Sequence, residues 1–171
     1  MCVDYSLLTT LQDVGNSINP AIDYGQIEGA FIQGQGLFTI EETLWTRNGQ
    51  LFTRGPGTYK IPGFSDIPQV FNASMLRHDN DGNPLSWNHL RSVQSSKGIG
   101  EPPLFLGSTV FFALRDAVLA ARKMNGKSDE RWNLDSPATC ERLRLAVGDE
   151  LVDRARTVKK EGETNFLVAV A

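Results

Sequence analysis

Four glycines constrain this chain more than any other feature. Gly25, Gly29, Gly34 and Gly36 punctuate the largely apolar stretch SINPAIDYGQIEGAFIQGQGLF. Asn19 is a good N-cap, and Pro20 suits the first helical position because its φ is preset and it has no N–H to leave unpaired. Ile22, Ile27, Ala30, Phe31 and Ile32 supply a broad buried face, so the pattern predicts a helix over residues 20–37. Each glycine costs such a helix about 1 kcal/mol relative to alanine. That density implies that something packs very close to the helix backbone.

Around this helix the chain is mixed. Asp13-Val14-Gly15 marks a turn. Residues 43–46 and 51–53 read as strand pieces about the turn Arg47-Asn48-Gly49, and RGPGTYKIPGFSDIP must be an irregular connection. Residues 69–76 alternate as a strand does, and residues 90–94 are expected to form one more. Between them, RHDNDGNPLSWNHL is polar and turn-rich, an exposed excursion. Residues 104–124 have helical periodicity through Leu104, Val110, Phe111, Leu114, Val118 and Ala121, closed by Asn125-Gly126. A last amphipathic helix is expected with Ser136 as its cap and Pro137 in its first turn, and residues 166–170 are expected to end the chain as a strand. Strands and helices fall in runs, which points to an α+β fold.

The 171 residues suffice for one domain with its own core, and 40% hydrophobic against 22% charged content is that of a globular chain. A net charge of −3 argues against a nucleic-acid footprint. No apolar run is expected to approach the ~20 residues that span a bilayer, so no membrane partner is expected. The first residues lack a signal-peptide pattern, and the expected location is the cytoplasm, with the peroxisome as the alternative. Cys2 and Cys140 match no zinc or redox spacing and read as reduced thiols. Asn72 opens a chance glycosylation acceptor.

Chemistry concentrates in KGIGEPPLFLG. Glu101 lies between Gly100 and the pair Pro102-Pro103, just ahead of a helical run. The prolines restrict the local backbone and push the preceding residue away from helical geometry. Gly98 and Gly100 allow close approach. A fixed carboxylate is what a general base requires, and it is equally what a helix cap provides. Gln26 and Gln33, seven residues apart, point the same way to within ~20° on a helix. Two amides over Gly29 and Ala30 would suit a flat polar ligand, or a merely polar helix face. His78 and His89, with Asp79 and Asp81, have no metal-ligand spacing, so no metal site of protein ligands is expected. Arg54 and Lys60 are either anion ligands or surface charge.

Three segments carry a resemblance. NPAIDYGQIEGAFIQGQGLFTIEE, TRGPGTYKIPGF and GIGEPPLFLGSTVFFALRDAVLAAR are similar, in that order, to the C-terminal part of the molybdenum-cofactor-binding domain of the xanthine dehydrogenase/aldehyde oxidase family, in a fungal-like form. The resemblance spans residues 13–146, leaving 1–12 as an atypical start and 147–171 as a C-terminal tail. It implies Mo-molybdopterin as cofactor, with Gln26 bonding the pterin, Gly100 against the metal site and Gln33 on the same face. It further implies that Glu101 is the base that activates a metal-bound hydroxyl for attack on a purine, oxidising hypoxanthine to xanthine and then to urate, with water as oxygen source. An aldehyde oxidase or nicotinate hydroxylase relative, taking an aldehyde or another N-heterocycle, is the alternative.

Complete members of that family also carry two 2Fe-2S clusters and FAD, for which this sequence has no cysteine sets or domain. It therefore reads as a fragment or truncated product, inactive alone, whose partners would be the missing upstream domains and, at full length, a second copy in a homodimer. A non-catalytic fragment acting only through partners is the remaining reading. Such a piece should expose apolar surface meant for its neighbours.

Overall fold

The computed structural model describes residues 7–79, 81–86, 91–127, 131–155 and 167–169. His89 and Cys2 lie outside them. The order is β1 (Leu7–Gln12), α1 (Pro20–Thr39), β2 (Leu44–Thr46), β3 (Val70–Met75), α2 (Pro102–Leu106), α3 (Ser108–Met124), α4 (Cys140–Val147), α5 (Glu150–Ala155) and β4 (Leu167–Ala169). The mixture is α+β. It divides into two compact units, one built from residues up to Gly34 with Pro62–Gly107, the other from Gln35–Ile61 with Ser108–Ala171.

In the first unit, β1 pairs in parallel with β3, from Leu7 opposite Val70 to Gln12 opposite Met75. Leu76 N–H extends the ladder to the Gln12 carbonyl at 2.8 Å. Asn19 caps α1 as its sequence requires, its Oδ1 accepting from the Ala21 N–H at 3.1 Å. Val14, Ile27 and Met75 form the buried core, with Tyr24, Ala73 and Ile99 packed against it. Phe31 is buried and meets Phe71 edge to face at 5.5 Å. Burying a side chain such as Ile27 contributes about 1.5–3 kcal/mol. This holds α1 against the β1–β3 pair.

In the second unit, β2 pairs antiparallel with β4. Gly49, at φ +74, turns the chain so that Leu51 bridges back to Trp45. The buried positions of α3 are Ser108, Val110, Leu114, Val118 and Arg122, the spacing of a helix packed along one side. By length and composition alone Pro102–Met124 is long and apolar enough to cross a membrane, contrary to the expectation that no run comes close. Only Gly107 stands between α2 and α3 there. Arg122 donates to the Ala146 carbonyl at 2.8 Å and so satisfies the end of α4. Its guanidinium lies 5.4 Å from the centre of the Trp132 ring.

Other expectations about the elements also need correction. Residues 91–94 are no strand, and Leu90 lies outside the described residues: Val93–Ser95 is a 3-10 turn in which Gln94 and Ser95 both adopt positive φ, 54° and 53°, incompatible with a ladder. The late helix is capped by Thr139, not Ser136, and starts at Cys140, because the Thr139 hydroxyl accepts from the Arg142 N–H while the Pro137 carbonyl accepts from the Arg142 side chain. That helix also does not run on. Gly148 turns left-handed at φ +64, and Asp149 accepts the Val152 N–H to start α5 afresh.

Candidate active site

Two of the predicted residues meet in the first unit. A Cβ added to Gly100 would lie 2.6 Å from Gln26 Oε1, so the carboxamide rests directly on the bare glycine backbone. Gln26 is exposed on α1, and Glu101 is the next residue after Gly100. Gln33 shares the face of Gln26 but sits about 10 Å further along the helix; it too is exposed, and nothing brings it to Gly100.

Glu101 occupies the N-cap position of α2, with Pro102 and Pro103 in the first turn. Its carboxylate makes no capping bond and is exposed. The capping role that the sequence left open is therefore not the one adopted. The helix behind it has only five residues, Pro102–Leu106, instead of the single run over 104–124 that the periodicity predicts. Nor is Glu101 pushed out of helical geometry by the following proline: its φ of −94° and ψ of −43° are right-handed helical. The first turn closes on it, with Leu104 N–H donating to the Glu101 carbonyl at 3.1 Å.

The glycines of α1 divide into two kinds. At Gly34 an added Cβ would collide with the Leu104 backbone, 1.9 Å from its carbonyl oxygen. At Gly25 and Gly29 there is nothing within 4 Å. The close packing expected of these glycines is met at Gly34 and not at Gly25 or Gly29, which leave the face around Gln26 and Gln33 open. Open apolar surface occurs elsewhere too, with Phe64 94% and Phe105 71% exposed.

The segment entering Glu101 is held by residues just after β1. Lys97 N–H donates to the Val14 carbonyl at 3.0 Å, and Asn16 N–H to the Ser95 carbonyl at 3.0 Å. Lys97 Nζ pairs with the Asp13 carboxylate. Gln12 Nε2 donates to the Ile99 carbonyl at 3.2 Å and reaches the Gly98 carbonyl at 3.5 Å. Burial pushes the Asp13 carboxyl up, but the Lys97 ammonium and the Gly15 N–H outweigh it, and the net direction is below the ordinary 3.8. A depressed folded-state value means the pair stabilises the fold above pH ~4, and that contribution disappears as pH falls through the lower value. Thermal unfolding followed from pH 6 to pH 2.5 should show this acid-sensitive part in the native chain and not in Asp13→Asn. Identical pH slopes would count against it.

Other candidates fare differently. Lys60 donates to the Pro56 carbonyl at 2.9 Å and, with Arg54, Tyr59, Leu51 and Ile61, lines an open groove of about 570 Å³ in the second unit. Asp79 accepts from the Asp81 and Asn83 N–H groups, closing its own loop, and there is no cluster of metal-ligating side chains among the described residues.

With this geometry in view, residues 3–68 match the family described as the molybdopterin cofactor-binding domain. A nicotinate hydroxylase of Emericella nidulans is 65% identical over 159 residues, covering 93% of this chain. The chain is similar over most of its length to xanthine dehydrogenase-type molybdopterin enzymes. A xanthine dehydrogenase of the same fungus is 58% identical over 92% of the chain. Among solved structures, quinoline 2-oxidoreductase from Pseudomonas putida 86 overlays 81% of the chain with a TM-score of 0.59 at 26% identity. The chain spans about a tenth of the length of those two fungal relatives and 15% of the quinoline enzyme's chain.

Sequence reasoning missed Gln12. It falls in β1, a strand whose parallel partner lies far along the chain, so local periodicity gave no hint of it.

Proposed function

We propose that this chain supplies the general base and part of the pterin cradle of a molybdenum hydroxylase acting on electron-poor N-heterocycles, purines among them. The observation that carries the reading is the juxtaposition of Gln26, Gly100 and Glu101: an amide resting on bare backbone, followed at once by a carboxylate free of capping duty.

These residues fit a molybdopterin. Gln26 can both donate and accept toward a pterin edge. Gly100 presents no side chain, and Gly25 and Gly29 keep the neighbouring helix face bare. When bound, the molybdenum group supplies a Lewis-acidic, redox-active centre for oxidation at a ring carbon. Gln26, with Gln33 further along the same face, would hold and orient the pterin. Glu101 would accept a proton at a carboxylate oxygen during attack on the substrate. A correctly placed base contributes roughly 10²–10⁴-fold to a rate. Pro102 and Pro103 limit the ways its backbone can drift.

Nicotinate is the second candidate substrate, favoured by the higher identity to the nicotinate hydroxylase. Turnover of hypoxanthine, xanthine and nicotinate by the full-length, molybdenum-replete protein decides between them. Urate formation supports the purine reading, and hydroxylation of nicotinate alone replaces it. Activity toward none of these heterocycles would remove the proposal. The remaining domains, the iron–sulfur and flavin centres and a homodimeric state belong to the same proposal for the full-length protein.

A further inference from the structure

We infer that Gln12 is a positioning residue for Glu101, acting through the Gly98–Gly100 strap; the inference deepens the reading of Glu101 as base and rests on it. Gln12 ends β1, where its backbone is fixed by pairing with Met75 and by the Leu76 N–H. Its side-chain nitrogen reaches the Ile99 and Gly98 carbonyls, two and three residues before Glu101. The carboxamide has one usable orientation, since a flip would set its oxygen against two carbonyl oxygens.

The strap needs such a hold. Gly98 and Gly100 leave its backbone permissive. Behind it lie Gln94 and Ser95, two non-glycine residues in the left-handed region, each costing on the order of 1–3 kcal/mol unless the surroundings enforce it. Ahead lies the exposed carboxylate. Ile99 anchors one side of the strap in the core of Val14, Ile27 and Met75. Gln12 fixes the carbonyl side, and the backbone bonds from Lys97 and Asn16 complete the clasp. Gln12 Oε1, by contrast, is buried with no partner among the described residues. An orphaned buried acceptor is destabilising, so packing alone would be served better by an apolar side chain of the same length. What the amide adds is the grip on the strap. A carboxylate misplaced by even an ångström loses much of its advantage.

The test compares native full-length protein with Gln12→Met, which keeps length and bulk, and Gln12→Lys, which restores a donor. Amide hydrogen exchange is read at residues 98–101 and, as a control, along β1 and β3. In Gln12→Met, exchange at 98–101 should accelerate at least fivefold with the control strands unchanged. Molybdenum content and KM should hold while kcat falls roughly tenfold. Gln12→Lys should recover most of both losses. Unchanged exchange at 98–101 would overturn the inference, as would faster exchange with native kcat, or a loss spread over β1 and β3. If Glu101→Gln turns over normally, the base reading fails, while the exchange data still report on the clasp.

Discussion

Glu101→Gln in the full-length protein is expected to lower hydroxylation by roughly 10²–10⁴-fold, the range a positioned general base supplies. The substitution keeps size and shape and removes the ability to take up a proton. Molybdenum and pterin content should stay at native levels, because the amide that meets Gly100 comes from Gln26 on another element. Thermal stability should hold as well. A capping carboxylate would take about 1 kcal/mol with it on removal, but Glu101 makes no capping bond and is exposed. Activity and stability are therefore predicted to separate. Steady-state turnover, metal analysis and a melting curve on one preparation check all three. Native turnover would end the assignment of the base, and a joint loss of metal and stability would recast Glu101 as structural.

What the sequence made legible follows the range of the interactions involved. Helix α1 was readable because its start depends on neighbours, Asn19 and Pro20, and its length on one periodic stretch; it begins at Pro20 as expected and runs two residues further than predicted, to Thr39. Strand β3 was readable from alternation. Strand β1 was not, since its partner lies more than sixty positions away and LLTTLQ has no pattern of its own. The start of α4 was ambiguous locally: Ser136 and Thr139 are both cap-forming, and the choice was made by Arg142. At the candidate site, the types and order of Gln26, Gly100 and Glu101 were legible, and their proximity was not. Nor was the left-handed pair at Gln94 and Ser95, which residue preferences disfavour and the surrounding hydrogen bonds hold. Gln12 escaped for the same reason as its strand.

The glycines of α1 carry the second large prediction, because the same substitution should change sign along one helix. At Gly34 an added methyl would come 1.9 Å from the Leu104 carbonyl oxygen, 2.8 Å from its carbon and 3.2 Å from its Cα. These are backbone atoms, which cannot swing aside as the end of a side chain can. Leu104 lies in α2, directly behind Glu101. Relief therefore requires pushing α2 off α1 and moving the carboxylate with it. Overpacking of this kind costs about 3 kcal/mol, and here the gain in helix propensity, about 1 kcal/mol, offsets only part of it. Gly25 and Gly29 present the opposite case. Nothing lies within 4 Å of an added Cβ, and neither requires a left-handed backbone. Gly25→Ala and Gly29→Ala should each stabilise the 171-residue chain by up to about 1 kcal/mol. Urea midpoints for the three variants test this directly. Should Gly34→Ala match the other two, the close approach of α1 and α2 is not what fixes Glu101; should it alone fall, the spacing of these two helices sets where the base stands.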